Sequence, residues 1–117
     1  MIDITTSLID ALKTVLPTYY ELAVSSGTAT PCITYQERNN AAAEQGETIG
    51  YSRITYTVKV WGYDIEQLNN YAIQIDKTLK PLGWKRTSVN EMFSYQSGII
   101  QKILTYEALA IETFKGV

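Results

Sequence analysis

The stretch that decides the fold is residues 51–83, YSRITYTVKVWGYDIEQLNNYAIQIDKTLKPLG. Its first part alternates apolar and polar side chains, which predicts a strand over residues 51–62. Asp64 then predicts a helix N-cap, with Gln67 as its partner in a capping box. The apolar spacing that follows predicts a helix over residues 65–80, ended by Pro81 and Gly83. The buried stripe of this helix would consist of Ile65, Leu68, Ala72, Ile75 and Leu79.

The elements before this stretch are a helix and two short strands. Apolar residues at helical spacing predict a helix over residues 5–16, which Pro17 ends. Strands are predicted over residues 19–24 and 32–37. Residues 38–50, RNNAAAEQGETIG, are polar and aperiodic, and we interpret them as a loop. Because hairpin loops usually have about two to five residues, a loop of this length suggests a functional segment.

The C-terminal part predicts two further strands. A short strand is indicated over residues 84–88, and residues 89–98 have no clear pattern. Residues 99–112 predict a long strand that is apolar on both faces, which indicates cover on both sides. One cover would be a helix of the same chain, and the other a neighbouring subunit. We therefore expect a single α+β domain over residues 1–117. It would have a mixed, mostly antiparallel sheet with two helices on one face, in the order α-β-β-β-α-β-β.

The composition narrows the range of functions that this chain can have. The 117 residues carry a net charge of −2, which disfavours general nucleic-acid binding because phosphate neutralisation requires a positive excess. Cys32 is the only cysteine, so an internal disulfide is impossible and a reducing cytoplasm is indicated. No apolar run approaches the roughly 20 residues of a membrane span, and the N-terminus does not have the pattern of a signal peptide.

Catalytic residues are sparse. The chain has no histidine, which excludes triads that use this base and removes the commonest metal ligand. Cys32 has no base beside it in the sequence and is interpreted as a small buried hydrophobe. Glu44 and Glu47 have a spacing compatible with acid–base or calcium chemistry, but the other oxygen ligands of a calcium loop are absent. Asp76 is expected on the exposed side of the second helix. We therefore expect no enzyme activity and no catalytic, cofactor or metal site.

Two surface patterns remain. The basic cluster Lys77, Lys80, Lys85 and Arg86 either complements the dipole of the helix C-terminus or contacts an anion or DNA. The nine tyrosines against two phenylalanines favour a binding surface, because tyrosine combines an apolar body with a polar tip. Each tyrosine taken singly is equally compatible with an ordinary half-buried position in a sheet.

The arrangement resembles a known family. The features that carry the resemblance are Leu16-Pro17 after the first helix, the strand Pro31-Cys32-Ile33-Thr34-Tyr35, the long polar segment, the strand Tyr56-Thr57-Val58-Lys59-Val60-Trp61, the capped helix at Asp64 and the last strand with Tyr106. Together they look like the tail terminator or tail completion (head–tail joining) proteins of long-tailed bacteriophages and prophages.

This resemblance implies a non-enzymatic structural protein of the virion. Proteins of that family form hexameric rings at the head–tail junction, where they end the tail tube and present a docking surface to the head connector. The implied partners are therefore other copies of the chain, the tail tube protein and the head–tail connector protein, without a membrane or sequence-specific nucleic acid. The host cytoplasm would be the site of assembly. The candidate contact residues are Arg38, Asn39, Asn40, Glu44, Glu47, Tyr51, Tyr63 and Tyr95.

Two alternatives stay open at this point. One is a head completion protein, or another neck or minor tail structural protein of similar size. The other is a monomeric module that binds a small ligand or a peptide, which would require a pocket with a few convergent polar groups.

Overall fold

A computed structural model describes residues 5–21, 29–45, 49–95 and 97–113. Two helices and five strands follow one another in the predicted order, and the fold is α+β as expected. The elements are α1 (Thr5–Lys13), β1 (Thr18–Tyr20), β2 (Cys32–Gln45), β3 (Ile49–Gly62), α2 (Ile65–Leu79), β4 (Lys85–Phe93) and β5 (Ile100–Thr113). A short 3-10 turn, Lys80–Leu82, continues from α2.

The strands form one sheet in the order β1-β2-β3-β5-β4. β1 runs parallel to β2, and the other three pairings are antiparallel. The sheet is therefore mixed and mostly antiparallel, as predicted. Its central strand is β3, which pairs with β5 from Ile49 to Gly62 on one side and with β2 from Gly50 to Trp61 on the other.

The second helix confirms the sequence pattern. The Asp64 carboxylate accepts hydrogen bonds from the backbone N–H groups of Glu66, at 3.0 Å, and Gln67, at 3.5 Å. These bonds satisfy two donors that the first turn of a helix leaves free. Four of the five predicted stripe residues are buried, and Ile65 is half-buried. Gly83 ends the following turn with a positive φ of 91°, a conformation that favours glycine.

The core lies between the helices and one face of the sheet. Leu8 and Leu12 of α1 are fully buried together with the stripe of α2. The sheet contributes Ile33, Ile54, Tyr56, Val58, Val60, Leu104, Tyr106 and Ala108. A line of aromatic rings crosses this face from β1 to the start of β4. Its centroid distances are 5.7 Å for Tyr20–Tyr35, 6.4 Å for Tyr35–Tyr56 and 5.8 Å for Tyr56–Trp84.

The main error of the sequence interpretation concerns residues 38–50. They were expected to be a loop, but β2 continues to Gln45 and β3 begins at Ile49. The register runs from Asn39 opposite Thr55 to Gln45 opposite Gly50. Strand pairing overrides composition here, because neighbouring strands satisfy the backbone groups of residues that have little preference for a sheet.

Other boundaries differ less. The first helix ends at Lys13 rather than at residue 16, and β1 covers three residues. The predicted residues 22–24 of that strand lie outside the described part of the chain. β4 continues to Phe93, so it includes much of the segment for which no structure was assigned from the sequence.

The three long strands extend beyond the rest of the molecule. β1 ends opposite Tyr35 of β2, and β4 begins opposite Glu107 of β5. Residues 38–45, 49–55 and 107–113 therefore form a three-stranded extension, which we call the arm. The longest dimension of the protein is 55 Å, against 25 and 22 Å for the other two. The arm accounts for this elongated shape.

The described residues cover only one face of the last strand, β5. Leu104, Tyr106 and Ala108 are buried beneath the helices. Leu109, on the other face, is 56% exposed. The second cover that the apolar pattern indicated is thus not supplied by the described part of this chain.

Candidate functional site

A cavity of about 530 Å³ lies at the C-terminal end of α2. It is bounded by the last turns of α2, the start of β4 and the neighbouring part of β5. Its lining residues are Ile73, Asp76, Lys77, Lys80, Trp84, Lys85, Arg86 and Tyr106. All four residues of the predicted basic cluster are among them.

The local sequence explains how these residues meet. Ile73, Asp76, Lys77 and Lys80 are spaced at i, i+3, i+4 and i+7, which places them on one side of a helix. The chain then turns at Gly83, whose N–H donates to the carbonyl of Lys80 at 3.1 Å. This turn leads directly into Trp84 and β4, so the helix and the strand form two walls of the cavity.

Asp76 joins the two walls to the sheet. Its carboxylate accepts a hydrogen bond from the Tyr106 hydroxyl and pairs with Arg86 Nη1 at 2.5 Å. Arg86 and Tyr106 are also partners in the β4–β5 register. The expectation that Asp76 lies on the exposed side of the helix is therefore wrong: its side chain is 33% exposed, and it is bound by two groups distant in sequence.

The pKa of Tyr106 argues against a role of this phenol as a general base. Burial, followed by the hydrogen bond and the charge of Asp76, raises the pKa of Tyr106 above its ordinary value, and Arg86 only partly opposes this. A phenol with a raised pKa stays protonated and is a poor general base at neutral pH. Both oxygens of Asp76 already accept from Tyr106 or Arg86. The arrangement therefore acts as a brace between helix and sheet.

The three lysines of the cavity differ from Arg86, which is paired with Asp76. Lys77, Lys80 and Lys85 are exposed, and none of them forms an ion pair with another described residue. They surround an opening whose deeper wall includes the buried Trp84, which is 3% exposed, and whose rim includes Ile73, which is 53% exposed. This combination of unpaired cations and apolar wall is suited to an anionic group attached to an apolar body.

A second distinctive surface is the edge formed by β4. All nine residues of this strand are exposed, including Val89, Met92 and Phe93. Within the described ranges, only β5 pairs with it. Phe93 also contacts Tyr95 in the following turn, with ring centroids 5.0 Å apart. We call residues 85–95 the β4 edge.

The predicted contact residues fall at two ends of the molecule. Most belong to the arm. Arg38 is exposed and lies at a register shift between Glu37 and Asn39. Within the arm, Asn39 pairs with Thr55, Asn40 with Ile54, and Glu44 with Tyr51. Glu47 lies outside the described residues.

The remaining two predicted residues lie at the end of the sheet opposite the arm. Tyr63 directly follows β3 and is 62% exposed, and Tyr95 lies in the turn between β4 and β5 and is 93% exposed. The structure therefore brings the predicted residues together as two groups and not as one site.

Neither Cys32 nor the carboxylates form a reactive centre in the described part of the chain. Cys32 is 1% exposed, and burial raises the pKa of its thiol, which disfavours the reactive thiolate. Among the described residues no three potential metal ligands come together. None of the described helices has the length and apolar composition needed to cross a membrane.

Sequence reasoning identified the lysines but missed Asp76, Trp84 and Tyr106 as members of the same site. The helical spacing of Ile73, Lys77 and Lys80 was a usable signal for one wall. The contact between Asp76 and Tyr106 joins residues 30 positions apart, for which the sequence pattern gives no signal. Comparison of the sequence with protein-family models and with curated proteins gave no match.

Proposed function

We propose that this chain is a non-enzymatic structural subunit of a phage or prophage tail. Copies of it would form a ring that ends the tail tube and provides the docking surface for the head connector. The observation that carries the proposal is a sheet whose two edges have no further strand beside them among the described residues: β4 on one side and, within the arm, β2 on the other.

The position of these surfaces favours a ring. The β4 edge and the arm are different surfaces, located on different parts of one sheet. A contact between them is heterologous, which means that each copy uses one surface toward each neighbour. Heterologous contacts generate a closed ring when the rotation between copies closes, and an open filament when it does not.

The exposed apolar residues support an assembly role. Val89 is 38% exposed, Met92 57% and Phe93 51%, and all three lie in one edge strand. Exposed apolar edges promote association, and natural proteins usually shield them. In a subunit that assembles, a neighbouring copy supplies that shield.

The remaining partners follow from the same proposal. Tyr63 and Tyr95, at the end of the sheet away from the arm, would contact the tail tube protein or the connector. The location would be the head–tail junction of the virion. A position elsewhere in the neck or tail is the alternative within the same structural class.

The test is the mass of the protein in solution, measured by light scattering over a range of concentrations, with and without the tail tube protein. We expect a ring, most simply a hexamer, visible by electron microscopy. Met92→Lys should weaken assembly, whereas Asn70→Lys, which adds the same charge at an exposed position of α2, should not. A strict monomer at high concentration in the presence of tube protein would contradict the proposal.

The cavity favours one second candidate, a monomeric module that binds a small anionic ligand or peptide. It has the convergent polar groups and apolar wall that such a site needs. A monomer whose melting temperature rises with one member of an anion panel, and whose Lys80→Glu variant loses this rise, would support this candidate over the ring.

A further inference from the structure

The cavity at the end of α2 continues into a second one. A smaller cavity of about 220 Å³ lies beside it, and the two share Ile73 and Arg86. The smaller cavity is lined by Asn69, Ala72, Ile73, Arg86, Val89, Lys102 and Leu104. The two cavities together form one groove between α2 and β4, which we call the α2–β4 groove.

One side of α2 and the turn after it forms a complete wall of this groove. The wall consists of Asn69, Ala72, Ile73, Asp76, Lys77 and Lys80. Their alternating steps of three and one residues place them on a single helix face. From Asn69 to Lys80 this face extends about 16 Å along the helix axis. An extended peptide covers that length with about five residues.

The strand β4 forms the opposite wall, and one of its edges is free. The Ser94 N–H donates to the carbonyl of Ile99 at 3.0 Å, one position beyond the last register pair of β4 and β5. Hydrogen-bonded and non-hydrogen-bonded pairs alternate in an antiparallel ladder. The N–H and C=O groups of Val89, Glu91 and Phe93 therefore point away from β5. Among the described residues no strand pairs with them.

The side chains of these strand residues lie on the helix side of the sheet. Val89 is opposite the fully buried Leu104, and both line the smaller cavity. Val89 is 38% exposed, and Ile73 on the facing wall is 53% exposed. The groove thus combines an apolar surface with free backbone groups. Peptides that add a strand to a sheet edge use both, since the backbone bonds hold the peptide and its alternate side chains enter pockets.

The charge of the groove is concentrated at one end. Among its lysines and arginines, those without a described ion partner all line the larger cavity: Lys77, Lys80 and Lys85. Arg86, in the middle, is paired with Asp76, and Lys102, in the smaller cavity, is paired with Glu91 at 2.6 Å. The end of the groove beside the start of β4 is therefore suited to a carboxylate.

We propose that the α2–β4 groove binds an extended peptide segment of a partner protein, added as an antiparallel strand beside β4. Its backbone pairs with Val89, Glu91 and Phe93, and its apolar side chains lie against Val89 and Ile73. Because β4 begins at Lys85, the antiparallel direction brings the C-terminal end of the segment to the three lysines, which bind its carboxylate. The proposal rests on the second candidate function given above and does not require the ring.

A compact anion or a nucleic acid fits these observations less well. An inorganic anion would use the lysines but neither the apolar wall nor the strand edge. A nucleic acid requires cations along a track several phosphates long, whereas the unpaired cations of the groove surround one end, in a chain with a net charge of −2. An extended peptide uses all three features.

The experiment begins with a displayed library of random peptides of about eight residues, long enough to span β4, with free C-termini. The peptide selected on the unchanged protein is labelled, and fluorescence anisotropy gives its dissociation constant. Its C-terminal amide, and a form with each acidic side chain replaced by the corresponding amide, distinguish the two possible sources of the carboxylate. Inorganic phosphate and a single-stranded oligonucleotide are tested as competing ligands.

Two variants change the groove, and each has a matched control. Lys80→Glu reverses a charge at the cationic end, and Lys13→Glu makes the same change at an exposed position of α1. Val89→Pro removes an N–H of the free edge, where proline is tolerated because that group makes no ladder bond, and Val89→Thr keeps it. Circular dichroism establishes that each variant is folded. A peptide that is N-methylated at alternate positions tests the backbone pairing independently of Val89→Pro.

We expect Lys80→Glu and Val89→Pro each to weaken peptide binding by about tenfold or more, as does removal of the peptide carboxylate or N-methylation. Both controls should bind within about threefold of the unchanged protein, a difference below 1 kcal/mol. A library that yields no binding peptide, a selected peptide without a carboxylate requirement, or binding of phosphate or oligonucleotide alone would overturn the inference. So would binding that Lys80→Glu weakens but Val89→Pro and N-methylation do not.

Light scattering of the same preparations separates this result from the ring function. A ring that binds no peptide leaves the ring function standing and refutes the groove. A monomer that binds the peptide as described refutes the ring and supports the groove.

Discussion

Replacing Tyr106 with phenylalanine tests the brace between α2 and the sheet. Tyr106 is 1% exposed, and its hydroxyl donates to Asp76 across the wall of the cavity. The substitution removes this one bond and leaves the buried ring in place. Asp76 keeps its pair with Arg86 at 2.5 Å.

The magnitude follows from the exposure of the acceptor. A hydrogen bond to a charged group contributes about 1.5–3 kcal/mol. Asp76 is 33% exposed, so water can replace part of what the hydroxyl supplies, and the lower end of this range applies. We expect Tyr106→Phe to lower the free energy of unfolding by about 1.5 kcal/mol at pH 7.

The difference between the two proteins should depend on pH in one direction. The pKa of Tyr106 is raised above its ordinary value of 10.0, first by burial and then by Asp76. The folded state therefore retains a proton that the unfolded state releases above pH 10. The contribution of Tyr106 is complete below that pH and is lost at about 1.4 kcal/mol per pH unit above it. The difference in the free energy of unfolding between the unchanged protein and Tyr106→Phe should therefore disappear at about pH 11.

Urea unfolding monitored by circular dichroism at pH 7, 9, 10 and 11 gives both quantities. Tyr63→Phe is the matched control at pH 7, because Tyr63 is 62% exposed, and its change should stay within about 0.5 kcal/mol. A constant difference between the unchanged protein and Tyr106→Phe from pH 9 to 11 would refute the reasoning. So would a loss at pH 7 equal to that of the control.

Three further substitutions test the fold by urea unfolding. Leu68→Ala, at a fully buried position of α2, should cost about 2–5 kcal/mol, whereas Leu82→Ala, at a position 50% exposed, should cost far less; equal losses would contradict the described core. Asp64→Ala should cost about 1 kcal/mol and Asp64→Asn less, because asparagine still caps the first turn; equal costs would argue against the cap. Gly83→Ala should cost about 1–2 kcal/mol because of its φ of 91°, with a smaller loss for Gly83→Asn, and a neutral Gly83→Ala would contradict that backbone conformation.

Local periodicity predicted the elements that have a buried and an exposed side. In β3, Ile54 and Val58 alternate with polar residues, and in α2, Leu68 and Ile75 repeat at helical spacing; all four are buried as expected. In each case the sequence directly encodes which side faces the core. The capping residue Asp64 was predictable for the same reason, since its partners are only two and three positions away.

The arm and the cavity could not be predicted in this way. Residues 39–45 contain asparagine and alanine, which have low preference for strands, and they are strand only because β3 lies beside them. The partners of Asp76 are 10 and 30 positions away, and its position in the helix suggested solvent. Both features depend on contacts between distant segments, for which spacing within one segment carries no information.

The register of β2 has a consequence for the monomer before it meets a partner. Two shifts, between Glu37 and Asn39 and between Ala42 and Glu44, each leave one residue of β2 without an opposite residue in β3. Such bulges bend a strand and increase its twist, and a bent edge is a poor template for straight strands of other chains. The edge of β2 in the arm is therefore a poorer template for indiscriminate strand stacking of the amyloid type than a strand without bulges would be.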